Sequence, residues 1–203
     1  MQDDWAYLEK YALENEKLGL KVNSGNRIVF IGDSITEYWK QYDASFFSQN
    51  GYINRGISSQ TTTQISFRFQ NDALKIKPKK IVILAGINDI AENNGPISLD
   101  EIVINIQSMI KRALDNKIEV ILCSLLPAAI IPWNHKINPV EKVVELNNRL
   151  KKISEANSIP YVDYFSNMAD DTKGLPKEYS HDGVHPNEKG YLKMKVILEN
   201  YLK

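Results

Sequence analysis

Short apolar runs alternate along this chain with longer amphipathic stretches. Residues 27–31, 80–84, 119–123 and 160–162 are dominated by β-branched residues, aromatics and leucine, and a weaker run of the same kind lies at 52–54. Three of these runs are apolar at successive positions instead of alternating, which predicts parallel strands covered on both faces. Between them the period becomes helical. Ser98-Leu99-Asp100-Glu101 is a capping box that opens a segment with Val103, Ile106, Ile110 and Ala113 on one stripe. Asn138-Pro139 starts a second helix, with Val143, Leu146, Leu150 and Ile153 on its inner face. Further helices are predicted at residues 4–18, at 61–75 and from about Asn187 to the end. The alternation predicts a three-layer α/β/α sandwich around a parallel sheet. In such sheets ligands sit beyond the carboxyl ends of the strands, where the strand order reverses.

Composition narrows the picture. A chain of 203 residues fits one domain, here 1–203 with an amino-terminal helical extension of about 1–22. Lys plus Arg equals Asp plus Glu at 25 each, so no net field draws it to nucleic acid. The apolar stretch 120–133 is broken by Pro127 and Pro132 and falls short of the ~20 residues of a spanning helix. Residues 1–5 lack the pattern of a secretory signal, leaving a cytoplasmic protein or one whose presequence has been removed. The one cysteine, Cys123, sits where a core hydrophobe belongs.

Three segments after predicted strands carry chemistry. Gly32-Asp33-Ser34-Ile35-Thr36 is a tight strand exit that either presents a serine hydroxyl or caps the next helix. Ala85-Gly86-Ile87-Asn88-Asp89 offers an amide donor, or is simply a turn. In Asp182-Gly183-Val184-His185-Pro186 a carboxylate three residues before a histidine can reach Nδ1 and leave Nε2 to accept a proton. His181 and His185 as a metal pair is the competing idea, but Gly183 and Pro186 argue against a helix there and no third ligand cluster is evident. No metal or cofactor is expected.

Together these segments resemble the SGNH hydrolases, also called the GDSL esterase and lipase family, over the span from Gly32 to His185. The resemblance implies a flavodoxin-like, five-stranded parallel sheet and a serine esterase acting on small-molecule esters. It implies Ser34 as nucleophile, His185 as base and Asp182 as the acid that orients it. Its oxyanion donors would be the N–H of Ser34, the N–H of Gly56 and the amide of Asn88. The chain departs from the family pattern after Gly56, reading Ile57-Ser58-Ser59-Gln60 where the family often has a second glycine and an aspartate. Contact with substrate is expected from Asp33, Arg55, Trp39 and Trp133, with Tyr42 and His135 also placed after strand exits; Asp33 and Asp89 read as loop-organising carboxylates rather than catalysts. Small acyl esters, acetyl groups on carbohydrate among them, are the leading substrates. A lysophospholipase or thioesterase would need Ala128-Ala129-Ile130-Ile131-Pro132 to form an acyl groove. A binding module on the same scaffold is the non-enzymatic alternative.

Overall fold

The computed structural model describes residues 4–19 and 27–203. Of the expected extension, residues 1–3 and 20–22 lie outside the described residues, and 4–19 form turns followed by helix α1 (Ala12–Gly19). The strands are β1 (Ile28–Gly32), β2 (Ile53–Gly56), β3 (Lys80–Leu84), β4 (Glu119–Cys123) and β5 (Tyr161–Val162). They form one parallel sheet in the order β2-β1-β3-β4-β5. The other helices are α2 (Ser34–Tyr42), α3 (Ala44–Asn50), α4 (Thr62–Asp72), α5 (Ile87–Ile90), α6 (Leu99–Asp115), α7 (Val140–Ala156), α8 (Tyr164–Met168) and α9 (Glu188–Leu202).

The crossovers divide these helices between the two faces of the sheet, and the general rule for parallel connections makes such crossovers right-handed. Helices α4, α6 and α7 lie side by side on one face, while α2, α3, α8 and α9 cover the other. This explains why β1, β3 and most of β4 are buried on both sides and read as continuous apolar runs. Strand β2 is an edge strand with a polar sequence. It stays buried because Asn54 donates to Thr36 O at 2.5 Å and accepts from Gly56 N at 2.9 Å, while Arg55 is covered by α1.

Beneath α2 and α3 the core is aromatic. Phe30 meets Trp39, Phe46 and Phe47 edge to face, and Trp39 stacks on Phe46 and Tyr191. Each such pair contributes roughly 0.5–1.5 kcal/mol beyond the area it buries. Tyr191 of α9 also donates to Ile35 O at 2.9 Å, tying the last helix to α2. The opposite face is braced by Arg68, which is fully buried and bonds Gln60, Asp72 and Gly32 O. The strand order reverses between β1 and β3, so the ends of β1, β2 and β3 meet at one edge.

Candidate active site

Gly32 ends β1 in a space that admits no side chain, because a Cβ there would meet Leu84 O and Thr36 Oγ1 at 2.3 Å each. Its carbonyl accepts from Ile57 N at 3.1 Å and from Arg68 Nη2 at 2.9 Å, which locks the strand exit. Asp33 then caps α2, its Oδ1 accepting from Ile35 N at 3.0 Å. Ser34 is thereby the first residue of the helix, where a backbone N–H has no intrahelical acceptor.

The loop before α9 brings a histidine to that serine. His185 Nε2 lies 2.9 Å from Ser34 Oγ, and His185 Nδ1 lies 2.7 Å from Asp182 Oδ2. The other carboxylate oxygen accepts from the backbone N–H of His185 at 2.8 Å and of Val184 at 2.9 Å. Burial alone would raise the Asp182 pKa, but these bonds from the ring and the backbone outweigh it and hold the carboxyl below its ordinary range. The imidazole is flanked by two aromatic rings, with Tyr38 at 5.6 Å and Trp133 at 5.7 Å between centroids.

Ser34 and His185 open into a cleft of about 1030 Å³ whose walls are polar and apolar in equal measure, with Ser58, Gln60 and Asn93 set among Tyr7, Tyr38, Ile57 and Trp133. One wall is the segment 58–60 after β2, another the loop after β3, and a third comes from Tyr7 and Lys10 before α1. Lys10 pairs with Glu37, which also accepts from Ser58 N and Oγ at 2.6 Å each. Asn88 is almost fully buried at the edge of this cleft, its Nδ2 donating to Gln60 O at 3.1 Å. Asp89 organises the rim, accepting from Thr62 N at 2.9 Å and Thr62 Oγ1 at 2.6 Å. Among the described residues no group of three or more His, Cys, Asp or Glu side chains converges to hold a metal, and His181 lines a separate recess with Tyr42.

Several expected contacts are corrected by these positions. The Gly56 N–H is turned into the protein and bonded to Asn54 Oδ1, so it is not free to meet a ligand. Gly56 is glycine because a Cβ would strike Glu37 N at 2.1 Å. The N–H available after β2 is that of Ser59, an exposed residue on the cleft with φ 65° whose N–H makes no hydrogen bond within the protein. Trp39 is 2% exposed in the aromatic core. The i, i+4 spacing of Ile35 and Trp39 was the signal for that burial. Arg55 faces away from the cleft, its guanidinium 4.5 Å from the Tyr11 ring centroid and bonded to Asn15, Glu14 and Asn54 O. Asp33 is 1% exposed, too deep to touch a ligand, and burial pushes its pKa up to about 7 against the Ile35 N–H and His185. Tyr42 and His135 do not line the cleft, whereas Trp133 does. The Ala128–Pro132 loop is packed, with Ala128 and Ile131 buried and only Ile130 half exposed.

A parallel α/β/α sheet with serine, imidazole and carboxylate in line at its carboxyl edge is the layout of a serine-type acyl hydrolase. The chain belongs to the GDSL-like lipase/acylhydrolase family, whose model matches residues 30–193, and it is an ester hydrolase of that type. The crystal structure of a GDSL-like lipase from Bacteroides thetaiotaomicron superimposes with a TM-score of 0.94, at 42% identity and covering 97% of each chain. An acetylxylan esterase of Geobacillus stearothermophilus is 26% identical over 205 residues, 85% of this chain and 92% of that one. Human platelet-activating factor acetylhydrolase IB subunit alpha2 is 27% identical over 130 residues, 63% of this chain and 53% of that protein.

Proposed function

We propose that this esterase removes small acyl groups, acetyl foremost, from polar alcohols such as carbohydrate hydroxyls, through an acyl-enzyme on Ser34. The observation that carries the proposal is the unbroken chain Asp182, His185, Ser34 opening into a wide cleft that mixes amide and hydroxyl groups with aromatic rings. His185 Nε2 takes the Ser34 proton as Oγ attacks the ester carbonyl, and Asp182 stabilises the imidazolium that forms. The oxyanion is met by the N–H of Ser34, the N–H of Ser59 and the amide of Asn88. The imidazolium then returns the proton to the departing alcohol, and water repeats the sequence on the acyl-enzyme.

Two observations favour a short acyl group. The apolar void beneath the site, lined by Ile35, Leu84, Leu125 and Val184 among others, holds only about 10 Å³, roughly one water's worth. The Ala128–Pro132 loop offers no groove for a chain. Two of the three similar proteins, the acetylxylan esterase and the platelet-activating factor acetylhydrolase subunit, are also named for acetyl esters. Trp133 and Tyr38 leave ring faces beside the imidazole on which a sugar can stack.

A fluorophosphonate should form an adduct on Ser34, read by mass spectrometry; no adduct, with a fully active Ser34→Ala, would remove Ser34 as nucleophile. On p-nitrophenyl esters kcat/KM should fall from acetate to octanoate. A rise with each methylene, worth about 0.8 kcal/mol where it is buried, would support the lysophospholipase or thioesterase alternative. Acetylated xylose set against lysophospholipid then tests the alcohol.

A further inference from the structure

We propose that Asn93 is a positioning residue that fixes which way the Asn88 amide faces, so that Nδ2 and not Oδ1 is presented to the reacting carbonyl oxygen. This rests on the oxyanion role proposed for Asn88.

An asparagine amide is nearly symmetric in shape but opposite in polarity at its two ends. Flipped, Asn88 would aim an acceptor at developing negative charge, so something must choose its orientation. The choice is made by a chain of hydrogen bonds with a fixed direction. At one end the Trp133 indole Nε1, which can only donate, bonds Asn93 Oδ1 at 2.8 Å. That leaves Asn93 Nδ2 to donate to Asn88 Oδ1 at 2.9 Å, with Ser59 O a longer contact at 3.4 Å. Asn88 Nδ2 is then directed to Gln60 O, which can only accept, at 3.1 Å. A donor-only group and an acceptor-only group at the two ends leave one consistent arrangement, with the second Nδ2 hydrogen of Asn88 unclaimed by the protein.

The backbone brings the two amides together. Helix α5 ends with Glu92 N bonded to Asp89 O and Asn93 N bonded to Asn88 O, both at 3.0 Å, the paired bonds of a Schellman motif. Glu92 takes the left-handed position of that motif, φ 60°, which glycine usually fills. The motif sets the sixth residue beside the first, and an apolar contact commonly joins them. Here the contact is the Asn88–Asn93 amide pair. A strained turn and a polar pair in place of an apolar one hold Asn93 over Asn88, and through Trp133 the same side chain is tied to the cleft wall beside His185.

A double-mutant cycle on the whole protein tests this. Asn93→Ala should lower kcat for p-nitrophenyl acetate about tenfold with KM and Tm little changed, and should cost less than about twofold when Asn88 is already Ala. Asn93→Asp keeps an acceptor for Trp133 but cannot donate to Asn88, so it should lower kcat at least as far, and again only while Asn88 is present. Unchanged kcat in Asn93→Ala, or equal loss in both backgrounds, overturns the proposal. If Asn93→Ala fails to fold, the same criterion applies to Asn93→Asp. Fluorophosphonate labelling of Ser34 separates the two levels: an adduct with additive Asn93 effects sinks only the positioning role, whereas an active Ser34→Ala without adduct sinks the catalytic assignment beneath it.

Discussion

Helix α2 carries Ile35 and Trp39 into an aromatic cluster on one side and Ser34, Glu37 and Tyr38 into the cleft on the other. The aromatic side is held by area and ring contacts, which tolerate no loss of volume but have no single required orientation. The cleft side is held by directed hydrogen bonds: Ser58 N–H to Glu37, Arg68 to Gly32 O, Thr62 Oγ1 to Asp89, Asn93 to Asn88. Stability and chemistry therefore draw on different residues of one short helix, and substitutions should separate them.

The largest separation is expected from Ser34→Ala, which should cost about 10⁶-fold in turnover while leaving the urea midpoint within experimental scatter. A large loss of stability would mean that the hydroxyl is structural. Trp39→Ala should do the reverse, costing about 3–5 kcal/mol in unfolding free energy by opening a cavity among Phe30, Phe46 and Tyr191, with kcat of the remaining folded protein nearly unchanged. Equal losses in kcat and stability would erase the distinction between the two sides.

Asp33 lies between them and tests it by pH. Its folded-state pKa is raised from 3.8 to about 7, so the native state holds a proton that the unfolded chain releases. Its contribution is full below the unfolded pKa, declines as pH rises and is lost above about 7. Asp33→Asn removes that dependence while keeping an oxygen for Ile35 N–H. Relative to wild type it should gain about 2–3 kcal/mol between pH 5 and pH 8 in urea unfolding. Parallel profiles for the two proteins would show that the buried carboxyl is not protonated at pH 5. The smallest effect belongs to Ser59→Gly, which relieves a left-handed backbone and should stabilise by about 1 kcal/mol. Because the N–H is retained, kcat should stay within about twofold; a larger fall would mean that the Ser59 side chain, not its N–H, serves the reaction.

What the sequence by itself determined was local. Continuous apolar runs named the buried parallel strands, the Ser98 capping box named α6, and the three-residue step from Asp182 to His185 set a contact that one loop can close. Ser34 and Asn88 were legible because each follows a strand whose carboxyl end points to one edge. Tertiary structure decided whatever depends on which side of an element is covered. Trp39 and Trp133 look alike as residue types after strand exits, but one lies under α9 and the other on the cleft. The edge strand β2 was weak in the sequence because polar bonds to α1 and α2, rather than apolar area, bury it. That the N–H of Ser59 and not that of Gly56 stands free after β2 has the same origin. Which N–H is left free depends on Asn54 claiming that of Gly56 and on a left-handed turn at Ser59, and hydrogen bonds between segments distant in sequence leave no periodic trace in the chain.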